Sequence, residues 1–429
     1  MLDKENRVEF TREMRDTYKI LFPNMCDIHF HILQKVFQSY GYNIELLTST
    51  DQSVIDEGLK YVHNDTCYPA LLTIGQMIAA LKSGEYDVDH TALMMSQTGG
   101  GCRASNYIHL LRKALKNAGL SQVPVISVSL GMEKNSGFKI TLPLARRAMA
   151  AVACGDLLML LGNQTRPYEV NAGETDALIN RWIDTLSSSF VSGKDFAARQ
   201  MHGVFRRIVA SFDAVPIEKT PKVKVGIVGE IYVKYSALAN NNLEKFLAGE
   251  GCEVMVPGLM GFLFYCVINN IRDIELYGGS AARKKLVEAL YAYLRRFETA
   301  LIEAVSECPK FVAPASADHI RELAEPVIGT GCKMGEGWLL TGEIMELIEH
   351  GYENVICAQP FGCLPNHIVG KGMIRKIRTM LPEANIVPID YDPGATRVNQ
   401  ENRIKLMLAV AGERLREGEK APRREEIYA

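Results

Sequence analysis

Residues 91–115, TALMMSQTGGGCRASNYIHLLRKAL, decide the fold. The run at 91–95 has the length and composition of a buried strand, the glycines at 99–101 make a turn, and 108–115 is spaced as an amphipathic helix. Cys102 therefore falls in a helix's first turn, beside unpaired backbone N–H groups and the positive end of the helix dipole. That setting is expected to favour thiolate over thiol. Cys67, in residues 64–70 (NDTCYPA), and Cys363, in residues 357–365 (CAQPFGCLP), have similar settings. One unusual arrangement at three distant places predicts a cluster-binding site assembled from separate loops.

Around this stretch, strand and helix patterns alternate. Strands are expected at 18–25, 43–47, 92–95 and 123–128, and helices at 28–40, 54–62 and from Pro69 to Lys82, with proline in the first helical turn. This alternation implies a parallel sheet covered on both faces. From 134 to 215 the pattern is helical (142–152, 175–188, 195–212), with a separate apolar segment at 157–161. Residues 216–221 read as a linker. Alternation resumes at 222 and continues to 410; the charged stretch 412–429 is expected to fray. The predicted fold class is α/β. Two Rossmann-like or flavodoxin-like parallel-sheet domains, 1–133 and 222–429, flank a mostly helical connecting region, 134–221.

Composition sets outer limits. The chain has 429 residues, 47% hydrophobic and 23% charged, with a formal net charge of −2. That balance gives no electrostatic case for nucleic acid or an anionic membrane. The longest apolar stretch, 148–161, is interrupted by Gly155 and Asp156 and is too short to span a bilayer. Residues 1–7 lack the apolar core of a signal peptide, so a cytoplasmic protein is expected. The ten cysteines include no C-x-x-C pair, which disfavours zinc ribbons, thioredoxin-like sites and ferredoxin runs.

Ligands of parallel-sheet proteins usually bind outside the carboxyl ends of the strands. Cys102 and the Cys357–Cys363 pair follow strands, and Cys67 precedes the Pro69 helix, so all can face one cleft. Gly100 and Gly101 would let the backbone approach a bulky cofactor. The competing reading is three ordinary strand-to-helix turns with inert cysteines. No G-x-x-x-x-G-K-[ST] phosphate loop occurs. Arg103, Asn106 and Gln359 either donate hydrogen bonds to sulfides or substrate, or serve the local backbone. Glu230, just past a strand, is an acid/base candidate or an N-cap. Arg166, Glu169 and Glu174 are expected to order the helical region, and Lys371 and Arg375 to lie on a solvated helix face.

The segments NDTCYPALLTIGQ, SQTGGGCRASNYIHLLRKAL, RPYEVNAGETD, KVGIVGEIYVKYS, GEGWLLTGE and CAQPFGCLPNHIVGKGMI resemble the 2-hydroxyacyl-CoA dehydratase superfamily. The likeness is closest to the dehydratase-like C-terminal unit of activase-fused proteins, and it runs from about residue 18 to 408. It implies a [4Fe-4S] cluster in a cleft between α/β domains, with Cys67, Cys102 and Cys363 as ligands. One iron would stay open unless Cys357 supplies a fourth thiolate. The resemblance further implies reductive radical chemistry on an acyl-CoA-like or other small substrate. Its electrons would come from an ATP-hydrolysing activase with its own cluster, and the chain would pair as a homo- or heterodimer. A fully ligated, non-catalytic electron carrier and a double-cubane [8Fe-9S] reductase are the alternatives. Cys332 lies in a matching segment, but no ligand is expected there.

Overall fold

The computed structural model describes residues 7–63, 66–96, 101–128 and 137–420. Two four-stranded, all-parallel sheets form the α/β framework. The first contains β1 (Lys19–Pro23), β2 (Ile44–Leu47), β3 (Thr91–Ser96) and β4 (Val125–Val128), in the order β2-β1-β3-β4. The second contains β5 (Lys224–Gly229), β6 (Glu253–Met255), β7 (Asn354–Pro360) and β8 (Asn385–Tyr391), in the order β6-β5-β7-β8. Both sheets therefore have the same topology. In each, the chain starts at an inner strand, steps outward, then returns to the other side.

Such a reversal leaves a crevice at the carboxyl ends of the two inner strands. In the first sheet these are β1 and β3, which pair Ile20 with Ala92. In the second they are β5 and β7, which pair Val228 with Cys357. The inner strands are buried on both faces, as their continuous apolar runs demand. Gly229 ends β5 with φ +148°, and a Cβ there would stand 1.8 Å from the Ala358 carbonyl oxygen. Only glycine brings the chain so close to β7 before it turns to Glu230.

Between the sheets lies more helix than the 134–221 region alone. Leu142–Thr165, Glu174–Val191 and Ala198–Asp213 belong to that region. Leu259–Tyr277 and Ala281–Ser306, inserted between β6 and β7, pack against it. The 157–161 segment is not separate from the helix before it: Leu142–Thr165 is one helix, buried continuously from Ala150 to Thr165. A helix enclosed on all sides loses the amphipathic period that would mark it. The C-terminal helix also exceeds expectation, running from Arg397 through Gly412 to Lys420. One apolar core links Ile20 and Met94 in the first domain, Leu157 and Leu161 in the buried helix, and Leu347 and Val355 in the second domain.

Candidate functional site

Each predicted thiol precedes the first residue of a helical segment. Cys67 caps Tyr68–Lys82, whose first turn contains Pro69. Cys102 caps a 3-10 turn, Arg103–Asn106, that leads into Tyr107–Asn117. Cys363 caps Leu364–Val369, with Pro365 in its first turn. All three are half-buried. None of the three makes a side-chain capping hydrogen bond, but nearby backbone N–H groups favour each thiolate electrostatically, Ala70 at Cys67, Ala104 and Arg103 at Cys102, and Asn366 at Cys363. Two also have side-chain partners. The Tyr107 hydroxyl lies 2.7 Å from Cys67 Sγ, and Asn366 Nδ2 lies 3.4 Å from Cys363 Sγ.

Two carboxylates stand behind these thiols. Glu230 caps Ile231–Tyr235 and accepts a 2.8 Å bond from the Val233 N–H. Glu336, buried at the start of Gly337–Glu349, accepts from Ile231 N–H at 3.0 Å and Asn366 Nδ2 at 2.7 Å. Both carboxyls are held above the usual carboxylate range, chiefly by burial; at Glu230 the charge of Glu336 adds to it. The charges of both glutamates act on Cys102 and on Cys363, while Glu230 and Cys102 act on Cys67. The two domains meet here, where the Gly101 N–H donates to Met334 Sδ at 3.2 Å.

The expected ease of ionisation is reversed in the thiols themselves. Burial pushes Cys67 up to about 11 and raises Cys102 and Cys363 as well. Desolvation outweighs the helix-start amides, and nearby carboxylates reinforce it. The cation felt by both glutamates, Lys234, is already paired with Glu343 at 3.0 Å. Positive charge brought by a metal centre is what would release these protons.

The other predicted residues divide between the edge of this group and the surrounding fold. Cys357 lies in mid-β7, is 1% exposed, and faces the shared apolar core; burial alone pushes its thiol up to about 12. It is a core residue, because side chains alternate along a strand and its neighbours Val355 and Leu347 share that face. Gln359 is fully buried and donates to Asp390 Oδ1 at 2.7 Å, which fixes it within the second domain. Arg103 is exposed on its 3-10 turn. Gly101 makes the interdomain contact, and Gly100 lies outside the described residues. Arg166 pairs with Asp176, and Glu169 accepts the Gly173 and Thr175 N–H groups, so both order the helical layer. Lys371 and Arg375 are exposed.

Sequence reasoning missed Tyr107, Glu336 and Asn366. Each lies inside a motif read only for its cysteine or for resemblance. It also missed a buried chain in which Cys26 Sγ lies 2.9 Å from His29 Nδ1 and His29 Nε2 lies 2.7 Å from Asp156 Oδ1. Asp156 also accepts the Leu259 and Met260 N–H groups, joining the first domain, the buried helix and the second domain. The available signals were Cys26 and His29 at i,i+3 and one acid inside an apolar run.

Among the described residues, no three His, Cys, Asp or Glu side chains gather tightly enough to hold a single metal ion. A polynuclear core asks for a different arrangement, because its cysteines bind different metal atoms and stand further apart, and three thiols with polar partners match its ligand chemistry. Asn366 adds a mark of an incomplete site: it is fully buried, and its Oδ1 has no hydrogen-bond partner among the described residues. Also among the described residues, no helix is long and apolar enough to cross a membrane. No family model matches the chain, and no curated protein matches it.

Proposed function

We propose that this chain is an iron–sulfur protein of the 2-hydroxyacyl-CoA dehydratase type, with a [4Fe-4S] cluster held by Cys67, Cys102 and Cys363. The observation that carries this reading is that three cysteine turns, distant in sequence, all lie within electrostatic reach of buried Glu230, with Glu336 also beside Cys102 and Cys363. Inert cysteines have no reason to share that address.

When bound, the cluster supplies low-potential one-electron chemistry. The protein supplies the rest. The Tyr107 hydroxyl and Asn366 Nδ2 stand at the sulfurs, with the N–H groups of Ala70, Arg103, Ala104 and Asn366 nearby. Such donors stabilise thiolate charge and tune cluster potential. Glu230 holds or moves a proton at its carboxylate beside the thiols. Electrons come from an ATP-hydrolysing activase with its own cluster, as the resemblance implies; the chain's lack of a G-x-x-x-x-G-K-[ST] phosphate loop fits that division of labour. The substrate is acyl-CoA-like or another small molecule. The burial of Cys357 in the core leaves the fourth iron without a thiolate, which disfavours the carrier closed by four cysteines and leaves too few thiolates for the [8Fe-9S] alternative.

The test is anaerobic reconstitution followed by iron and sulfide analysis. About four of each per chain are expected. Replacing Cys67, Cys102 or Cys363 with Ala should abolish most of that content, whereas Cys357→Ala and Cys252→Ala should retain it. A colourless, iron-free protein after reconstitution overturns the proposal.

A further inference from the structure

The site conceals a repeat that the sequence does not reveal. In each domain three helix-start positions have the same topological addresses. The first follows the first inner strand: Cys26 after β1 and Glu230 after β5. The second caps the helix that leads into the second inner strand: Cys67 before Tyr68–Lys82 and Glu336 before Gly337–Glu349. The third follows the second inner strand: Cys102 after β3 and Cys363 after β7. Cys102 and Cys363 are thus counterparts, and so are Cys67 and Glu336. A cluster held by Cys67 and Cys102 from one domain would receive, by the same geometry, Glu336 and Cys363 from the other.

The surroundings of Glu336 agree with that place. Asn366 Nδ2 is shared between Glu336 Oε2 and Cys363 Sγ. Met334, two residues before Glu336, touches the Gly101 N–H, one residue before Cys102. Glu336 therefore stands between the other two turns. Each of its oxygens accepts one described hydrogen bond, and a carboxylate oxygen has a second lone pair to offer. We propose that Glu336 is the fourth ligand, its carboxylate standing where the repeat would otherwise put a fourth thiolate. This inference rests on the cluster reading above and adds a non-cysteine donor to it. A carboxylate is a harder and more readily displaced ligand for iron than a thiolate, so the fourth iron would be the one a substrate oxygen could claim.

Wild-type protein, Glu336→Cys and Glu336→Gln would each be reconstituted anaerobically with iron and sulfide. Iron content, iodoacetamide labelling mapped by peptide, and the EPR spectrum of the reduced form would be measured. In Glu336→Cys the introduced thiol should resist alkylation while iron is bound and react once a chelator removes it. Wild-type iron content should be retained. In Glu336→Gln the reduced cluster's g-values should move, and added cyanide should bind at lower concentration than in wild type. Equal labelling of the introduced thiol with and without iron overturns the inference, as does a Glu336→Gln spectrum and cyanide response identical to wild type. The second arm decides the matter should Glu336→Cys fail to fold. Iron-free wild-type protein would instead overturn the cluster reading itself.

Discussion

The two domains put different chemistry at the same point of one topology. After its first inner strand the N-terminal domain has Cys26, drawn into the His29–Asp156 chain and buried. The C-terminal domain has Glu230, which turns toward the thiols and acts on all three. The first is an anchor between domains, and the second belongs to the site. Topology thus fixes where a helix-start side chain stands, while its hydrogen-bond partners decide whether it is drawn into the core or left beside the thiols.

The largest expected effect tests the anchor. Burial alone would lower the His29 pKa, but the Cys26 sulfur and Asp156 overcome it and raise it from 6.5 to about 10. A group whose folded pKa is raised stabilises fully below its unfolded value and loses that contribution as pH rises through the folded one. Stability measured by urea unfolding should therefore fall from about pH 6.5 to about pH 10, approaching about 1.4 kcal/mol per pH unit from this group. His29→Gln should flatten that slope without lowering iron content; an unchanged slope would remove His29 from the comparison.

Next comes the buried pair behind Glu230. Lys234 and Glu343 are 4% and 2% exposed and 3.0 Å apart. Lys234→Met strands a buried carboxylate and should cost about 3–5 kcal/mol in chemical denaturation. Adding Glu343→Leu should recover much of that loss, because two apolar groups leave no charge unpaired. Failure of the double variant to recover would mean that the pair does more than compensate itself.

The smallest effect sharpens the contrast at the thiols. Tyr107→Phe removes the hydroxyl from Cys67 but keeps the ring. Iron affinity, followed by competition with a chelator, should fall about 10–100-fold, as for other partners of metal ligands. The unfolding midpoint without iron should barely move. Unchanged affinity would make Tyr107 a packing residue.

Much of this was legible in the chain. The run at 91–95 and Pro69 identify β3 and the helix behind Cys67, because a buried parallel strand and a first-turn proline each leave a local signature. The cysteine turns were legible for the same reason. Glu336 was not, since its place depends on the path of Gly337–Glu349 relative to β7, a long-range property. The unity of Leu142–Thr165 was hidden because burial on all sides erases periodicity. The thiol protonation was misread because a helix start is visible in sequence and the depth of burial is not.

The continuous core bears on how anything reaches the thiols. Swinging the two domains apart would drag Leu157, Leu161 and their neighbours into water, so a wide hinge motion is a costly way in. Traffic then falls to the rim. Phe361 and Leu364, respectively 65% and 68% exposed, flank Cys363 in sequence, and their side chains project from the surface outside any strand. A ligand for the thiols would then have to pass between side chains at the rim, with the domain walls staying shut.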